Sequence, residues 1–484
     1  MRVLFTHSYF LRFDPKQWNT MQPYAPLGTL YAAALLRKHG YEVKLHDVMF
    51  AEGPETIQPV LNSFKPDILV IYDDGFNYLT KMCLTNMREA AFMMSGMAKA
   101  MGCRVIVSSS DSTDHFEKYL DHSADFVILG EAEQTLLELV NATREGRGVQ
   151  GDILGIAMRL SGETLRTPPR PVMTQLDDMP FPAWDLVDMG QYRNAWKQRW
   201  GYYSVNVGTT RGCPFKCNWC AKPIYGNRYN ARTPENVVAE LKMLKENYQF
   251  DHVWFCDDIF GLKPGWVKRF AELVKAEKLQ LRFKIQSRAD LLLKDEQIKP
   301  LADAGCEVVW MGAESGSQRI LDAMEKGTTV EQIAEATALL KKHGIKPAFF
   351  LQFGYLGETI EDIEKTLEMV KRLSPSDIGI SVSYPLPGTK FYDKVREHLG
   401  EKTNWTDSDE LALMFRNTYR PEFYKVLHRY VHSVYRQLKA LNVIKDALAK
   451  PFAIRAGHIK TLLKLPYYSL SVIQHKIKLD RVLR

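Results

Sequence analysis

Short apolar runs separated by helical stretches recur along most of this 484-residue chain, and that alternation leaves few folds open. Strand-like runs stand at 3–6, 42–48, 67–72, 104–108 and 126–129, with helical stretches such as 27–39 and 87–101 between them. Strands joined through helices pair in parallel, because the crossover brings the chain back to the same end of the sheet. Runs that are apolar throughout, not alternating, are those of a sheet covered by helices on both faces. Residues 1–145 therefore read as a doubly wound, Rossmann-like α/β domain, whose ligands would lie beyond the carboxyl ends of its strands.

A polar, Pro-rich stretch follows, Thr167-Pro-Pro-Arg-Pro171 and then Met179-Pro-Phe-Pro-Ala-Trp184, which reads as a linker with turns. A second series then begins. Strands are expected at 202–207, 252–256, 282–286, 307–311, 347–353 and 378–384, with helices including 233–247, 318–324 and 330–343. Six such units make a partial (β/α)6 TIM barrel, open on one side, in place of the full eight. Beyond residue 405 the strand signal fades and 422–441 is amphipathic and helical. The expected organisation is a nucleotide-fold domain at 1–145, a linker at 146–198, a barrel at 199–405 and a C-terminal basic helical extension at 406–484.

The strand at 202–207 runs into Thr209-Thr210-Arg211-Gly212, and then into Cys213-Pro-Phe-Lys-Cys217-Asn-Trp-Cys220. The cysteines thus sit just past the carboxyl end of a barrel strand, where such folds build active sites. Soft thiolates select iron–sulfur clusters, zinc or Cu(I). The CxxxCxxC spacing lets one loop wrap three corners of a 4Fe–4S cube and leaves the fourth iron open to a substrate. A structural zinc site would need a fourth ligand, for which Cys256 and Cys306 are candidates. A disulfide framework is disfavoured, since seven cysteines are sparse and odd in number.

The N-terminus runs directly into a strand with no separate signal segment, and no uncharged apolar run reaches the roughly 18 residues of a membrane span. A reducing cytoplasm is the expected setting. The net charge of +7 is concentrated at one end: residues 421–484 hold 13 Lys/Arg and three Asp/Glu, a local +10 that leaves the remainder at −3. Helices packed beside the barrel with solvated charged faces account for such a tail. The alternative is peripheral contact with the inner face of an anionic membrane, which would bring the protein to a lipid substrate. No nucleic-acid motif is present, and no nucleic-acid partner is predicted.

With these residues in view, the stretch from about 195 to 400 resembles the radical S-adenosylmethionine (SAM) superfamily. The resemblance implies that Cys213, Cys217 and Cys220 hold a 4Fe–4S cluster whose open iron chelates SAM, and that an electron from a flavodoxin- or ferredoxin-like donor cleaves it to a 5′-deoxyadenosyl radical. Trp219 would shield the cluster and stack on an aromatic ligand. Asp257 or Asp258, ending the second strand, would hold the SAM amine, or else cap the next helix. Arg288 would pair with the SAM carboxylate or stand at the surface. Glu314 and Ser315 would meet the ribose hydroxyls and carboxylate, and Gly316 would allow close backbone approach. The strings Phe353-Gly-Tyr-Leu-Gly357-Glu-Thr and Tyr384-Pro-Leu-Pro-Gly388-Thr would close over adenine and substrate.

The N-terminal domain resembles that of the cobalamin (B12)-binding radical SAM group, which includes class B methylases and anaerobic tetrapyrrole cyclases. The resemblance rests on Pro26-Leu-Gly28-Thr-Leu-Tyr-Ala-Ala33, Pro66-Asp67-Ile-Leu-Val and Asp125-Phe-Val-Ile-Leu-Gly130-Glu-Ala-Glu133. It implies cobalamin as a third cofactor, with Gly28, Gly130 and Glu131 near the corrin or its tail. The chain departs from the group after the fourth strand, where Ser108-Ser-Ser110-Asp replaces paired glycines, and it lacks the Asp-x-His-x-x-Gly loop of other cobalamin proteins. His7, after the first strand, is either a ligand near cobalt or a loop residue. The implied reaction is methylation of an unactivated carbon of a small-molecule or lipid substrate, with oxidative cyclisation as the alternative. Methylthiolation of tRNA would call for three more cluster cysteines in a domain that has only Cys83 and Cys103.

Overall fold

The computed structural model describes residues 1–483 except 77, 82, 83, 150, 295, 403 and 450–455. The first βα series forms β1 (Arg2–Thr6), β2 (Glu42–His46), β3 (Ile68–Tyr72), β4 (Arg104–Ser108) and β5 (Phe126–Ile128). These pair in parallel in the order β2-β1-β3-β4-β5, and every residue of β3 is buried. That order places a topological switch between β1 and β3, the point where doubly wound sheets bind ligands. The helix Leu27–Lys38 covers one face with ten buried residues and Thr85–Ala100 covers the other, so the apolar runs lie between two helical layers.

The connector read over 146–198 carries a hairpin before its Pro-rich turns and a helix after them. β6 (Ile156–Leu160) and β7 (Glu163–Arg166) form a hairpin that adds antiparallel to β5. The hairpin covers an edge that would otherwise expose unpaired backbone groups, and Ile156, Ala157 and Met158 bury their side chains there. The helix Met189–Trp200 follows, capped by Asp188 and closed by Gly201. Its Trp196 is fully buried and donates to the Pro23 carbonyl at 2.7 Å.

The second series begins at β8 (Ser204–Val207). A two-residue ribbon of β9 (Thr210–Arg211) and β10 (Asn230–Ala231) follows, and then β11 (His252–Phe255), β12 (Phe283–Ser287), β13 (Cys306–Glu314), β14 (Lys346–Phe353) and β15 (Asp377–Val382). The six long strands are parallel in the order β15-β14-β13-β12-β11-β8. β8 and β15 are the two edges, so the barrel is partial and open, as the six-unit count implies. One hydrophobic core runs from the N-terminal sheet through Trp184 and Trp196 into the barrel. The chain ends in the helices Pro421–Ala449, Ala456–Leu463 and Leu465–Leu483. Among the described residues no helix is long and apolar enough to cross a membrane.

Candidate active site

The loop that carries the three cysteines is tied down from four directions. β9 pairs with β10 and closes residues 212–229 into a loop above β8. Gly212, with φ +78°, opens it, and a side chain there would run into the Arg228 carbonyl, so only glycine serves. From the end of β11, the Asp257 carboxylate accepts the Thr209 N–H at 2.6 Å, the Thr210 N–H at 2.8 Å and the Thr209 hydroxyl at 2.5 Å. Burial raises this carboxyl to about 6 against the pull of those donors. Asp257 is thus committed to the turn that feeds the cysteine loop. The fourth tie is Asn218. Its N–H donates to the Met324 carbonyl (3.0 Å), its amide nitrogen to the Ala323 carbonyl (2.7 Å), and its amide oxygen accepts the Tyr355 hydroxyl (3.1 Å).

Cys213, Cys217 and Cys220 are free and half-buried. Burial raises the Cys213 thiol and pushes Cys220 up to about 12, and Asp258 and the neighbouring thiols add to the rise at Cys220. Arg288 comes up from the end of β12 and is buried, not at the surface. Its guanidinium lies 3.8 Å over the Phe215 ring, 3.6 Å from the Cys217 sulfur, and donates to the Lys326 carbonyl at 2.7 Å and to Asp290 at 2.9 Å. That places a fixed cation against the middle cysteine.

β13 ends in a register shift against β14 at Gly312/Glu314, and Glu314 takes the left-handed conformation, φ +56°. The twist turns its carboxylate to the buried Lys326 ammonium, 2.8 Å away. Burial alone would lower Lys326; the Glu314 carboxylate and the Cys217 thiol beside it outweigh that and raise it. The same ammonium lies 5.9 Å from the Trp219 ring. Lys326 is a site residue that the sequence does not single out; its spacing of 12 from Glu314 gives no periodic signal that the two meet. Ser315 and Gly316 serve the fold: Ser315 Oγ is 3.2 Å from Thr366 Oγ1, and the Gly316 N–H donates to Thr366 Oγ1 at 2.9 Å. A side chain at Gly316 would collide with backbone at Lys365 and Thr366, so its close approach is to the helix Ile360–Leu373.

The N-terminal domain reaches the same loop. Arg211, two residues before Cys213, is buried and ion-paired to Glu131 and, at 2.7 Å, to Glu133. The other Glu131 oxygen accepts the Met173 N–H. Glu131 therefore joins the domains, with both oxygens occupied. Gly130, φ +87°, packs near the Ile224 carbonyl, and the Gly28 N–H donates to Asp74 at 3.1 Å. His7 Nε2 is 2.9 Å from Asp47, which makes it a satisfied structural histidine. Ser109 and Ser112 form a capping box on the short helix Ser110–Asp114, where the group has paired glycines. Asp258 parts from Asp257 and pairs with Lys81. The pair lines a narrow cleft of about 10 Å³ with Gly75, Ser110, Lys222 and Ile224, at the ends of β3 and β4 and just after Cys220. Of the other cysteines, Cys103 is buried and donates to the Pro66 carbonyl, and Cys83 lies outside the described residues.

Residues 207–370 match the model of the radical SAM superfamily, a span that holds the cysteine loop, Asp257, Arg288, Glu314 and Lys326. That span is a radical SAM domain. It is 28% identical over 455 residues to an uncharacterized methyltransferase of Pyrococcus horikoshii, covering 91% of this chain and 94% of that one. It is 26% identical over 430 residues to the anaerobic magnesium-protoporphyrin IX monomethyl ester cyclase of Rubrivivax gelatinosus, covering 85% of this chain and 72% of that one. The solved structure of the cobalamin-dependent S-adenosylmethionine radical enzyme OxsB with aqua-cobalamin bound shares its architecture, with a TM-score of 0.76 at 16% identity over 98% of this chain and 72% of that one.

Radical SAM enzymes work with a 4Fe–4S cluster and SAM, and the residues present suit both. Among the described residues no three His, Cys, Asp or Glu side chains converge as ligands of a single ion. Three thiolates on separate corners of a cube need no such convergence. Cys306 begins β13, at the opposite end of the strand from Glu314, and so stands away from the cysteine loop. Three of the nine buried polar atoms without a partner among the described residues lie in the segments around the loop: Trp219 Nε1, Ser287 Oγ and Thr328 Oγ1. Buried donors and acceptors are ordinarily satisfied, so such groups mark a place for a polar ligand.

Proposed function

We propose that this radical SAM enzyme is a cobalamin-dependent methylase acting on an unactivated carbon. When bound, the cluster and SAM supply a 5′-deoxyadenosyl radical and cobalamin supplies a transferable methyl group; the protein positions them and excludes water. Cys213, Cys217 and Cys220 would hold three of the cluster's irons. Arg288 and Lys326 are two buried cations beside Cys217, and they offset the negative charge of a reduced cluster. Glu314 and Lys326 form a buried ion pair that would receive the amine and carboxylate of SAM. Trp219, half-buried with its ring toward Lys326, keeps water from that corner. An electron donor such as flavodoxin or ferredoxin completes the requirements, and the substrate is a small molecule or a lipid.

The observation that carries the cobalamin part of the reading is the cleft between domains. It joins the carboxyl ends of β3 and β4 to the residues directly after Cys220, so a group seated at the N-terminal sheet would face the cluster. Its space of about 10 Å³ holds little more than a water, so seating a corrin requires Ile224 and Lys222 to move aside. The name of the Pyrococcus relative supports methyl transfer and that of the Rubrivivax relative supports oxidative cyclisation, which stands as the second reading.

Anaerobic reconstitution, read by ultraviolet–visible and electron paramagnetic resonance spectra, is the decisive experiment. Signals from both cluster and cobalt, with 5′-deoxyadenosine and a methylated product released from SAM, are expected. A cluster signal without bound corrin would remove the methylase and leave a radical SAM enzyme of another kind; a dehydrogenated or hydroxylated product would favour the cyclase.

A further inference from the structure

The two C-terminal helices Ala456–Leu463 and Leu465–Leu483 follow one another with a single residue between them, and their sequence is apolar on two opposite sides. On one side Ser471 and Leu479 are buried against the long helix Pro421–Ala449, with His475 Nδ1 2.9 Å from Ser433 Oγ and Ser469 Oγ accepting from Gln437 at 3.1 Å. On the other side stand Ile459, Leu463, Tyr467, Leu470, Ile473 and Ile477, with exposures of 51, 77, 66, 60, 57 and 48%. Within Leu465–Leu483, steps of three, three and four residues put Tyr467, Leu470, Ile473 and Ile477 within one third of the helical circumference, and Ile459 and Leu463 stand exposed on the helix before it. A surface helix of a globular protein needs one apolar stripe, and this one has a second that nothing among the described residues covers.

Charge says what covers it. Lys460, Lys464, Lys478 and Arg481 are exposed beside this stripe, and Asp480 is the one acidic residue in 451–484 against seven Lys/Arg. Asp480 is itself paired with Lys476 at 3.0 Å, so it does not oppose the exposed cations. A second copy of the chain would bring the same cations face to face. An anionic lipid surface accepts both features at once: the aliphatic side chains enter the acyl boundary, the tyrosine sits at headgroup level and the lysines meet phosphate.

We infer that the helices Ala456–Leu463 and Leu465–Leu483 form a docking surface for an anionic phospholipid bilayer, lying in its plane. The helices neither span the bilayer nor form part of the active site.

The full-length protein should float with phosphatidylglycerol vesicles and not with phosphatidylcholine vesicles, and high salt should weaken its recovery. The triple variant Leu463→Ser, Leu470→Ser, Ile473→Ser changes only exposed positions and should abolish flotation with the circular dichroism spectrum and melting temperature unchanged. Lys460→Glu with Lys464→Glu should reduce partitioning about tenfold or more. Equal recovery with and without vesicles would overturn the inference. So would a dimer in light scattering that the triple variant converts to monomer while neither form floats, since the stripe would then be a self-association face. Flotation does not depend on the cofactors, so its failure and that of the methylase reading are separable.

Discussion

At the scale of single residues, the cation beside Cys217 is the strongest statement the structure makes about tuning. Arg288 touches Cys217 sulfur, the Phe215 face and the Lys326 carbonyl with one planar group. Lysine cannot reproduce that fork or the stacking. Arg288→Lys is therefore expected to load a full complement of iron, to shift the cluster's electron paramagnetic resonance signature and reduction potential, and to slow SAM cleavage about 10- to 100-fold. An unchanged signature with unchanged cleavage would reduce Arg288 to a packing residue. The cysteines, Asp257, Glu314 and Arg288 were all legible as residues of interest, because each stands at a strand end that the βα rhythm locates. Their partners were not. That Asp257 holds Thr209 and Thr210 while its neighbour Asp258 faces Lys81 depends on which side of β11 each points, and two adjacent carboxylates look alike in sequence.

At the scale of elements, loops that the resemblance assigned to ligands are first of all held by their own buried polar groups. The loop after β14 turns on Glu358, which accepts the Gly354 N–H at 2.6 Å and is fully buried. Burial lifts this carboxyl from 4.5 to about 8, against the pull of the Gly354 bond. A carboxyl whose folded pKa is raised favours folding fully below pH 4.5 and loses that contribution as the pH rises through about 8. The loss is on the order of 5 kcal/mol at 1.36 kcal/mol per unit. Denaturant unfolding at a series of pH values should show stability falling over this window, and Glu358→Gln should flatten that part of the curve. A wild-type slope that survives in Glu358→Gln would assign it to other groups. The long strands were readable to within a residue or two except at the end of β13, which runs three residues further to Glu314, but β6 and β7 were hidden in a Pro-rich neighbourhood. Their hairpin exists because β5 would otherwise leave an open edge, a need that belongs to the assembled sheet.

At the scale of the whole molecule, the two α/β units act as one body through a buried charge cluster. Arg211 leads directly into Cys213, and its carboxylate partners, Glu131 and Glu133, come from the N-terminal domain. Burial raises Glu131, and Arg211 opposes that rise. Removing the cation alone leaves buried carboxylates facing one another, at a cost of about 3–5 kcal/mol. Arg211→Met should lower the unfolding midpoint accordingly and reduce iron loading. The triple variant with Glu131→Gln and Glu133→Gln should recover much of the stability. Equal stability of Arg211→Met and wild type would show that the domains are held by their apolar core alone.

What the sequence determined by itself is whatever depends on local order along the chain: the βα rhythm, the six-unit count of the barrel, the three-cysteine spacing and the basic tail. Periodicity and spacing are properties of neighbours, and they survive without knowledge of the fold. Tertiary structure alone decided which groups face one another. It turned Glu314 toward Lys326, set Glu131 against Arg211, tied His7 to Asp47, and left one side of the last helices uncovered. Each of these depends on the direction of a side chain from an element whose neighbours come from distant parts of the chain, and no local pattern records it.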